Sequence, residues 1–286
     1  LTIAETITRA AQQLAEAGIP TARLDAELLL RNILSKDRAF IFTHGNDALS
    51  NGQDALFEKD VRRRITREPL QYIIGRQEFW GLDFFVAPGV LIPRPETELV
   101  VEAAIKATEG YASPLIIDLC TGSGCIAVSL AKELSRGRIF ASDQSEKALS
   151  VARRNAQNHG VSDRIRFLEG DLFGPLQELD VRGKVDIITA NPPYVKSADL
   201  DGLQPEVRDY EPEMALVAGP EGTEIADRII RAAPEYLRKN GVLIMEMGIG
   251  QAETLMRMVS ETGAYQAPEV LKDLAGIERV IIAAKK

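Results

Sequence analysis

Leu115-Ile116-Ile117-Asp118-Leu119-Cys120-Thr121-Gly122-Ser123-Gly124 is the stretch on which the reading of the fold turns. An apolar, strand-like run breaks into a loop with two glycines, and a helical pattern over Ile126–Leu134 follows. Glycines there let the backbone turn sharply and approach a ligand with no Cβ in the way. Asp143 closes the next expected strand, 19 residues beyond Gly124, where a carboxylate can accept hydrogen bonds from both hydroxyls of a ribose. Strand, loop, helix and acid in this order point to a nucleoside-containing cofactor. Gly122–Ala127 also satisfies the looser dinucleotide pattern G-x-G-x-x-G/A, so these residues alone leave a nicotinamide cofactor open.

On both sides of this loop the pattern alternates. Strands are expected at Leu115–Leu119, Arg138–Asp143, Arg164–Glu169, Val185–Ala190, Gly241–Met247 and Arg279–Ala284, with a further one at Pro268–Leu271. Helical spacing recurs at Glu146–Asn158, Glu224–Leu237 and Gln251–Thr262. Such alternation implies an α/β fold, an open and largely parallel sheet with helices on both faces. Val195–Gly222 has little periodicity and many Pro, Glu and Asp residues, which suits a lid or binding loop. Upstream, Phe79, Leu82, Phe84 and Val86 suggest a strand, Pro88-Gly89 a turn and Val90-Leu91-Ile92 a return strand. Pro93-Arg94-Pro95-Glu96-Thr97-Glu98 then opens a helix through Ala107.

The first 75 residues read instead as a small helical bundle. Ile3, Ile7, Ala10, Ala11 and Leu14 recur at helical spacing, Leu24 and Leu28–Leu30 mark a second helix, and Leu56, Phe57, Val61 and Ile65 a third. Ser50-Asn51-Gly52-Gln53 fits a capping box ahead of that third stripe. The expected organisation is a helical domain over 1–75, a β-hairpin linker over 76–95 and an α/β domain over 96–286.

Charge narrows the partners. Residues 1–78 carry equal numbers of basic and acidic side chains, so the net charge of −8 falls on residues 79–286. A duplex-DNA binder needs a basic face, because neutralising phosphates supplies most non-specific affinity. Arg62-Arg63-Arg64 is the only tight basic run and reads as a solvated helix face. No direct nucleic-acid binding is expected. No apolar run approaches the roughly 20 residues a membrane-spanning helix needs, and the start reads as no secretory signal. Cys120 and Cys125, five apart, suit neither a disulfide framework nor a zinc site. A cytoplasmic monomer without metal is the expectation, with His44 and His159 as structural residues.

The chemistry is carried by Asn191-Pro192-Pro193-Tyr194, directly after the expected strand Val185–Ala190. An amide or ring-borne NH₂ is a poor nucleophile because its lone pair is delocalised into the neighbouring π-system. The Asn191 side-chain oxygen and the Pro192 carbonyl can accept hydrogen bonds that favour a pyramidal nitrogen. Prolines stiffen the loop, so these acceptors need little reorganisation. Tyr194 can pack on the flat face of the group and exclude water. A sulfonium methyl donor carries its own driving force, so alignment rather than a strong base is required. S-adenosylmethionine, leaving S-adenosylhomocysteine, is the donor of this kind that a nucleoside site accommodates.

These residues bring the chain close to a known family. It resembles the bacterial release factor glutamine methyltransferases (the HemK/PrmC group) along nearly its whole length. The likeness runs through Gly18–Glu27, Pro69–Ile73 with Gly75, Phe79-Trp80-Gly81, Leu91–Glu98, the glycine loop and Asn191–Tyr194. The last tetrapeptide is shared with amino-methylating DNA enzymes; Pro93–Glu98 and the N-terminal run are more particular to this family. The resemblance implies a class I, Rossmann-like sheet of seven strands, one antiparallel, preceded by a helical domain that helps dock the substrate. It implies a class 1 peptide release factor as substrate, methylated on N5 of the glutamine in its Gly-Gly-Gln loop. Cofactor positions carry over to Cys120, Thr121, Gly122, Ser123, Gly124, Asp143, Leu172 and Asn191, and the amide site to Asn191, Pro192, Pro193 and Tyr194. Two positions depart from the family pattern: Cys120 stands where the loop usually begins with Gly, and Leu172 where an aromatic often flanks the adenine.

Three rival readings fare less well. An adenine-N6 or cytosine-N4 DNA methyltransferase would act on a similar flipped-out NH₂, but the acidic α/β region opposes it. A nicotinamide-dependent oxidoreductase gives Asn191–Tyr194 no role. A helical interaction module on an inactive nucleoside-binding domain leaves the retention of Asp143 and Asn191 without a reason.

Overall fold

Thr2 and Glu5 close a capping box: Thr2 Oγ1 accepts from Glu5 N at 3.2 Å and Glu5 Oε2 accepts from Thr2 N at 2.9 Å. Helix α1 (Ile3–Glu16) starts there. In the computed structural model, which describes residues Leu1–Lys286, the chain divides into two units. The first comprises Leu1–Arg76 and Gln204–Tyr210, the second Gln77–Leu203 and Glu211–Lys286.

In the first unit α1 is followed by α2 (Ala22–Leu34), α3 (Arg38–Thr43), α4 (Asn51–Ile65) and α5 (Leu70–Ile74). Ser50 and Gln53 form the expected capping box of α4. Ile7, Leu14, Leu29, Leu30, Phe57 and Val61 fill the core. Leu24 and Leu56, expected on the buried stripes, are exposed; Ala22 and Ala26 take the core positions of α2, because small residues let α1 approach. The expectation of a solvated Arg62–Arg64 face also needs correction. Arg64 is buried, its Nε donating to Asp25 at 2.7 Å and its Nη2 to Glu206 at 2.9 Å. Glu206 also accepts from Arg67 at 2.8 Å, and the Tyr210 hydroxyl donates to Thr66 O at 2.6 Å. Gln204–Tyr210, within the stretch read as a lid, is therefore part of the helical unit, and the rest of that stretch belongs to the second.

The second unit opens at Gln77, within β1 (Arg76–Phe79), which pairs with β2 (Leu82–Phe85) through a turn in which Trp80 and Gly81 both have positive φ, as tight hairpins require. The hairpin turn therefore lies at Trp80-Gly81; Pro88-Gly89 does make a turn, closed by Val90 N donating to Ala87 O at 3.3 Å, but Val90–Ile92 after it is not a strand. After Phe85 the chain leaves the hairpin and runs irregularly to a 3₁₀ turn at Pro95–Thr97 and α6 (Glu98–Ala107). β3 (Leu115–Leu119), α7 (Cys125–Glu133), β4 (Arg138–Asp143), α8 (Glu146–Asn158), β5 (Ile165–Glu169) and β6 (Val185–Ala190) follow. Next come β7 (Val195–Lys196), the one-turn α9 (Pro205–Arg208) of the first unit, and β8 (Val217–Gly219). α10 (Glu224–Tyr236), β9 (Leu237–Glu246), α11 (Ala252–Glu261), β10 (Glu269–Lys272) and β11 (Glu278–Ala284) complete the chain.

Seven strands form one sheet in the order β10-β11-β9-β6-β3-β4-β5. β11 runs antiparallel to both neighbours, and the β9-β6-β3-β4-β5 pairings are all parallel. Alternation splits each strand between two cores. Ile116, Ile187, Ile244 and Val280 face α6, α7 and α8, while Ile117, Ile188, Leu243, Met245 and Ile281 face α10 and α11. Strand order reverses about β3, with β4 on one side and β6 on the other. In open α/β sheets the crevice at that reversal, beyond the strands' carboxyl ends, is where ligands bind.

Candidate active site

Asp118, near the end of β3, is fully buried and anchors the glycine loop. Its Oδ2 accepts from Thr121 Oγ1 at 2.6 Å and its Oδ1 from Thr189 Oγ1 at 2.8 Å. Burial pushes this carboxyl up to about 7, against the pull of the two hydroxyls. The loop it holds is strongly curved: Cys120, Gly122 and Gly124 have φ of 55, 55 and 80°. At Gly124 the curvature brings the backbone within reach of α8, where a Cβ would stand 3.0 Å from Ala152 Cβ. At Gly122 a Cβ would meet nothing within 4 Å, so the loop is open on that side.

Asp143 is tied to the same loop. Its Oδ2 accepts from Gly122 N and its Oδ1 from Ser145 N, each at 2.9 Å. Burial raises its carboxyl above the ordinary value, and these backbone donors oppose the rise. A cavity of about 280 Å³ opens over these groups, lined by Cys120 through Ser123, Asp143, Leu172, Asn191 and Pro193 among others. It lies at the reversal point of the sheet. Cys120 keeps the left-handed backbone that a glycine would suit, and packs partly against the α10/α11 core while lining the cavity. Leu172 is also left-handed (φ 46°), buried, and fixed through its carbonyl, which accepts from Ser142 Oγ at 3.0 Å. Burial, with the neighbouring carboxylates, raises both thiols, that of Cys125 to about 12, so neither is a ready nucleophile.

Asn191 begins the turn after β6. Its Nδ2 donates to Thr97 Oγ1 at 3.1 Å. Pro192 is buried and Tyr194 half-buried, and neither they nor Gly124 line the cavity. Tyr194 is turned to the protein: its hydroxyl donates to Glu246 Oε1 at 3.4 Å and its carbonyl accepts from Gln251 Nε2 at 3.0 Å. Leu216 O receives the N–H groups of Tyr194 and Val195 at 3.1 and 2.8 Å, so the tetrapeptide is held from both ends. The facing wall is stapled by Glu211, buried, whose carboxylate accepts from Ile92 N at 3.0 Å and Arg94 Nη2 at 2.5 Å.

A family model described as the PrmC N-terminal domain matches residues 5–75, and one described as a methyltransferase domain matches residues 114–280. The release factor glutamine methyltransferase of Geobacter sulfurreducens is 46% identical over 268 residues, covering 94% of this chain and 91% of that one. That of Moorella thermoacetica is 39% identical, covering 100% and 99%. The chain belongs to the release factor glutamine methyltransferase family.

Members of this family are S-adenosylmethionine-dependent methyltransferases, and the fold agrees with that chemistry. Two residues of this family member escaped the sequence reading as site residues, Thr97 and Glu246. Thr97 lies within Pro93–Glu98 and Glu246 within the expected strand Gly241–Met247; nothing local says that β6, β9 and the start of α6 converge there. His44 stacks on Phe40, and His159 sits at the end of α8 with Nε2 2.9 Å from Asp83 O, so neither histidine reaches the cavity. No group of three or more His, Cys, Asp or Glu is arranged to hold a metal. No helix is long and apolar enough to cross a membrane.

Proposed function

We propose that this chain transfers the methyl group of S-adenosylmethionine to the side-chain amide nitrogen, N5, of the glutamine in the Gly-Gly-Gln loop of class 1 peptide release factors. Cys120, Thr121, Gly122, Ser123, Asp143, Leu172 and Asn191 would hold the cofactor, with Gly124 shaping the loop behind them. The open side of Gly122 admits a ligand close to the backbone, the Asp143 carboxylate offers acceptors for ribose hydroxyls, and Leu172 offers an apolar side chain for the adenine. When bound, the cofactor supplies an electrophilic methyl carbon on a sulfonium.

The observation that carries the proposal is the orientation of Asn191. Its nitrogen is committed to Thr97, which leaves Oδ1 as the end available to the cavity that Asn191 lines. An oxygen there can accept a hydrogen bond from a substrate N–H and favour the lone pair over the conjugated form of the amide. Pro192 and Pro193 restrict the backbone beside it, so the acceptor is set before reaction. Tyr194 braces the turn through Glu246 and Gln251 rather than forming a cavity wall. Under this reading Asn191→Ala lowers kcat by about 100-fold or more, as for loss of a preorganised transition-state contact, while the cofactor Kd measured by calorimetry moves only a few-fold. Labelled cofactor offered to intact release factor, to its Gly-Gly-Gln peptide and to DNA should label the first most and DNA not at all. Label in DNA alone would overturn the assignment.

The helical unit supports docking of the protein substrate. Leu24, Phe42 and Leu56 are exposed apolar side chains with no role in its core. Leu24→Ser with Phe42→Ser should raise KM for intact release factor and leave the rate on the short peptide unchanged.

A further inference from the structure

We infer that Glu246 and Thr97 are positioning residues that decide which end of the Asn191 side-chain amide faces the cavity, and so whether the site offers the substrate an oxygen acceptor or an N–H donor. The inference rests on the reading of the cavity as an amide-methylating site.

Three elements bring the groups together. Asn191 follows β6, Glu246 ends β9, and these strands are paired, with Ala190 opposite Met245. Thr97 closes the 3₁₀ turn ahead of α6. Thr97 Oγ1 lies 2.5 Å from Glu246 Oε2. A carboxylate has no proton to give, so the Thr97 hydroxyl must donate. With that proton spent, the same oxygen can only accept, and it accepts from Asn191 Nδ2 at 3.1 Å. The direction of each bond is thus dictated by the one behind it. Thr97 is 1% exposed and Glu246 3%, so outer solvent scarcely reaches either, and Thr97 meets the cavity only at its edge. Tyr194 occupies the second carboxylate oxygen as a donor at 3.4 Å.

A neutral Glu246 reverses the chain. Its own O–H would donate to Thr97, Thr97 would turn its proton toward Asn191, and Asn191 Oδ1 would swing to receive it. The cavity would then be offered the Nδ2 donors, which repel a substrate NH₂. Charged and titratable groups around Glu246 set where this happens. Burial and the Glu96 carboxylate push its carboxyl up to about 7, opposed by the Thr97 and Tyr194 hydroxyls and the Arg279 guanidinium. A sulfonium in the cavity would favour the ionised, productive form.

The test uses the full chain with intact release factor at saturating cofactor, comparing wild type with Thr97→Ser, Thr97→Val, Glu246→Gln and Asn191→Ala. Glutamine can still accept from Thr97 but cannot titrate. Thr97→Ser should stay within about threefold of the wild-type kcat, and Thr97→Val should lose about 10- to 100-fold with cofactor Kd within about twofold, a range set by one or two hydrogen bonds. Wild-type kcat should fall on the acid side of an apparent pKa at or below about 7. Glu246→Gln should keep a neutral-pH rate and lack that limb. Independently of turnover, the side-chain ¹⁵NH₂ resonances of Asn191 in cofactor-free protein should shift with that titration in wild type and stay fixed in Glu246→Gln. Equal kcat for Thr97→Val and wild type, or an acid limb and titrating resonance retained in Glu246→Gln, overturns the relay. Should Thr97→Val fail to fold, the resonance and pH profile of Glu246→Gln still decide. If wild type labels no release factor, the functional reading falls; if it does and Asn191→Ala does not, while the relay variants behave as wild type, only the relay falls.

Discussion

Replacing Gly124 by alanine should destabilise the second unit without entering the cavity. Two costs combine. Gly124 holds φ at 80°, a left-handed conformation that costs an L-residue about 1–2 kcal/mol. The added Cβ would also stand 3.0 Å from Ala152 Cβ and 3.2 Å from Ala152 Cα. Those atoms belong to the body of α8 and cannot rotate away, so α7 and α8 must part, an overpacking cost of about 1–3 kcal/mol. The expected loss is therefore about 2–5 kcal/mol. Trp80, the only tryptophan, reports on this unit, since its indole Nε1 donates to Glu133 at 2.9 Å at the end of α7, the helix that Gly124 begins. Urea unfolding followed by Trp80 fluorescence measures the loss directly. Gly122→Ala is the control, with the same left-handed backbone but no atom within 4 Å of the new methyl. It should cost only about 1–2 kcal/mol, the backbone contribution, and should weaken cofactor binding instead, because Gly122 lines the cavity. A Gly124→Ala loss no larger than that of Gly122→Ala would refute the close-approach argument.

Arg64→Ala should destabilise the helical unit by about 3–5 kcal/mol, because it strands the buried carboxylate of Asp25, while Glu206 keeps Arg67; a loss under about 1 kcal/mol in urea melts would contradict it. Glu246→Gln should raise stability at pH 8 by up to roughly 3 kcal/mol and change nothing at pH 4. The folded carboxyl titrates near 7 rather than 4.5, so the native state holds the extra proton between those values. Wild-type stability is then lost as pH rises through that window, whereas glutamine carries no charge to bury; melting temperatures at the two pH values check the sign.

Much of the α/β unit was legible in the chain. Leu115–Leu119, Arg138–Asp143 and Val185–Ala190 were bounded as observed, because strands buried on both faces appear as continuous apolar runs ended by loop chemistry. The exceptions share a cause. Val90–Ile92 has strand composition but joins no sheet, and the backbone N–H of Ile92 goes instead to Glu211, more than a hundred residues away. Arg64 looked like one of three solvated arginines until Asp25 and Glu206 reached it from distant segments. Tyr194, expected beside the substrate group, also donates its hydroxyl to Glu246 and accepts at its carbonyl from Gln251, contacts that nothing local announces.

What the amino-acid order determined unaided was the succession of strands and helices, the curvature of Cys120–Gly124 and the presence of Asn191–Tyr194 after a strand. Each depends on residues within a few positions of one another, through side-chain period, glycine freedom and proline rigidity. Tertiary structure alone decided that Thr97, Asn191 and Glu246 meet, and hence which atom of Asn191 faces the cavity. A hydrogen bond's direction depends on what lies beyond its donor, and here that chain passes through three segments joined only by the pairing of β6 with β9 and the docking of α6.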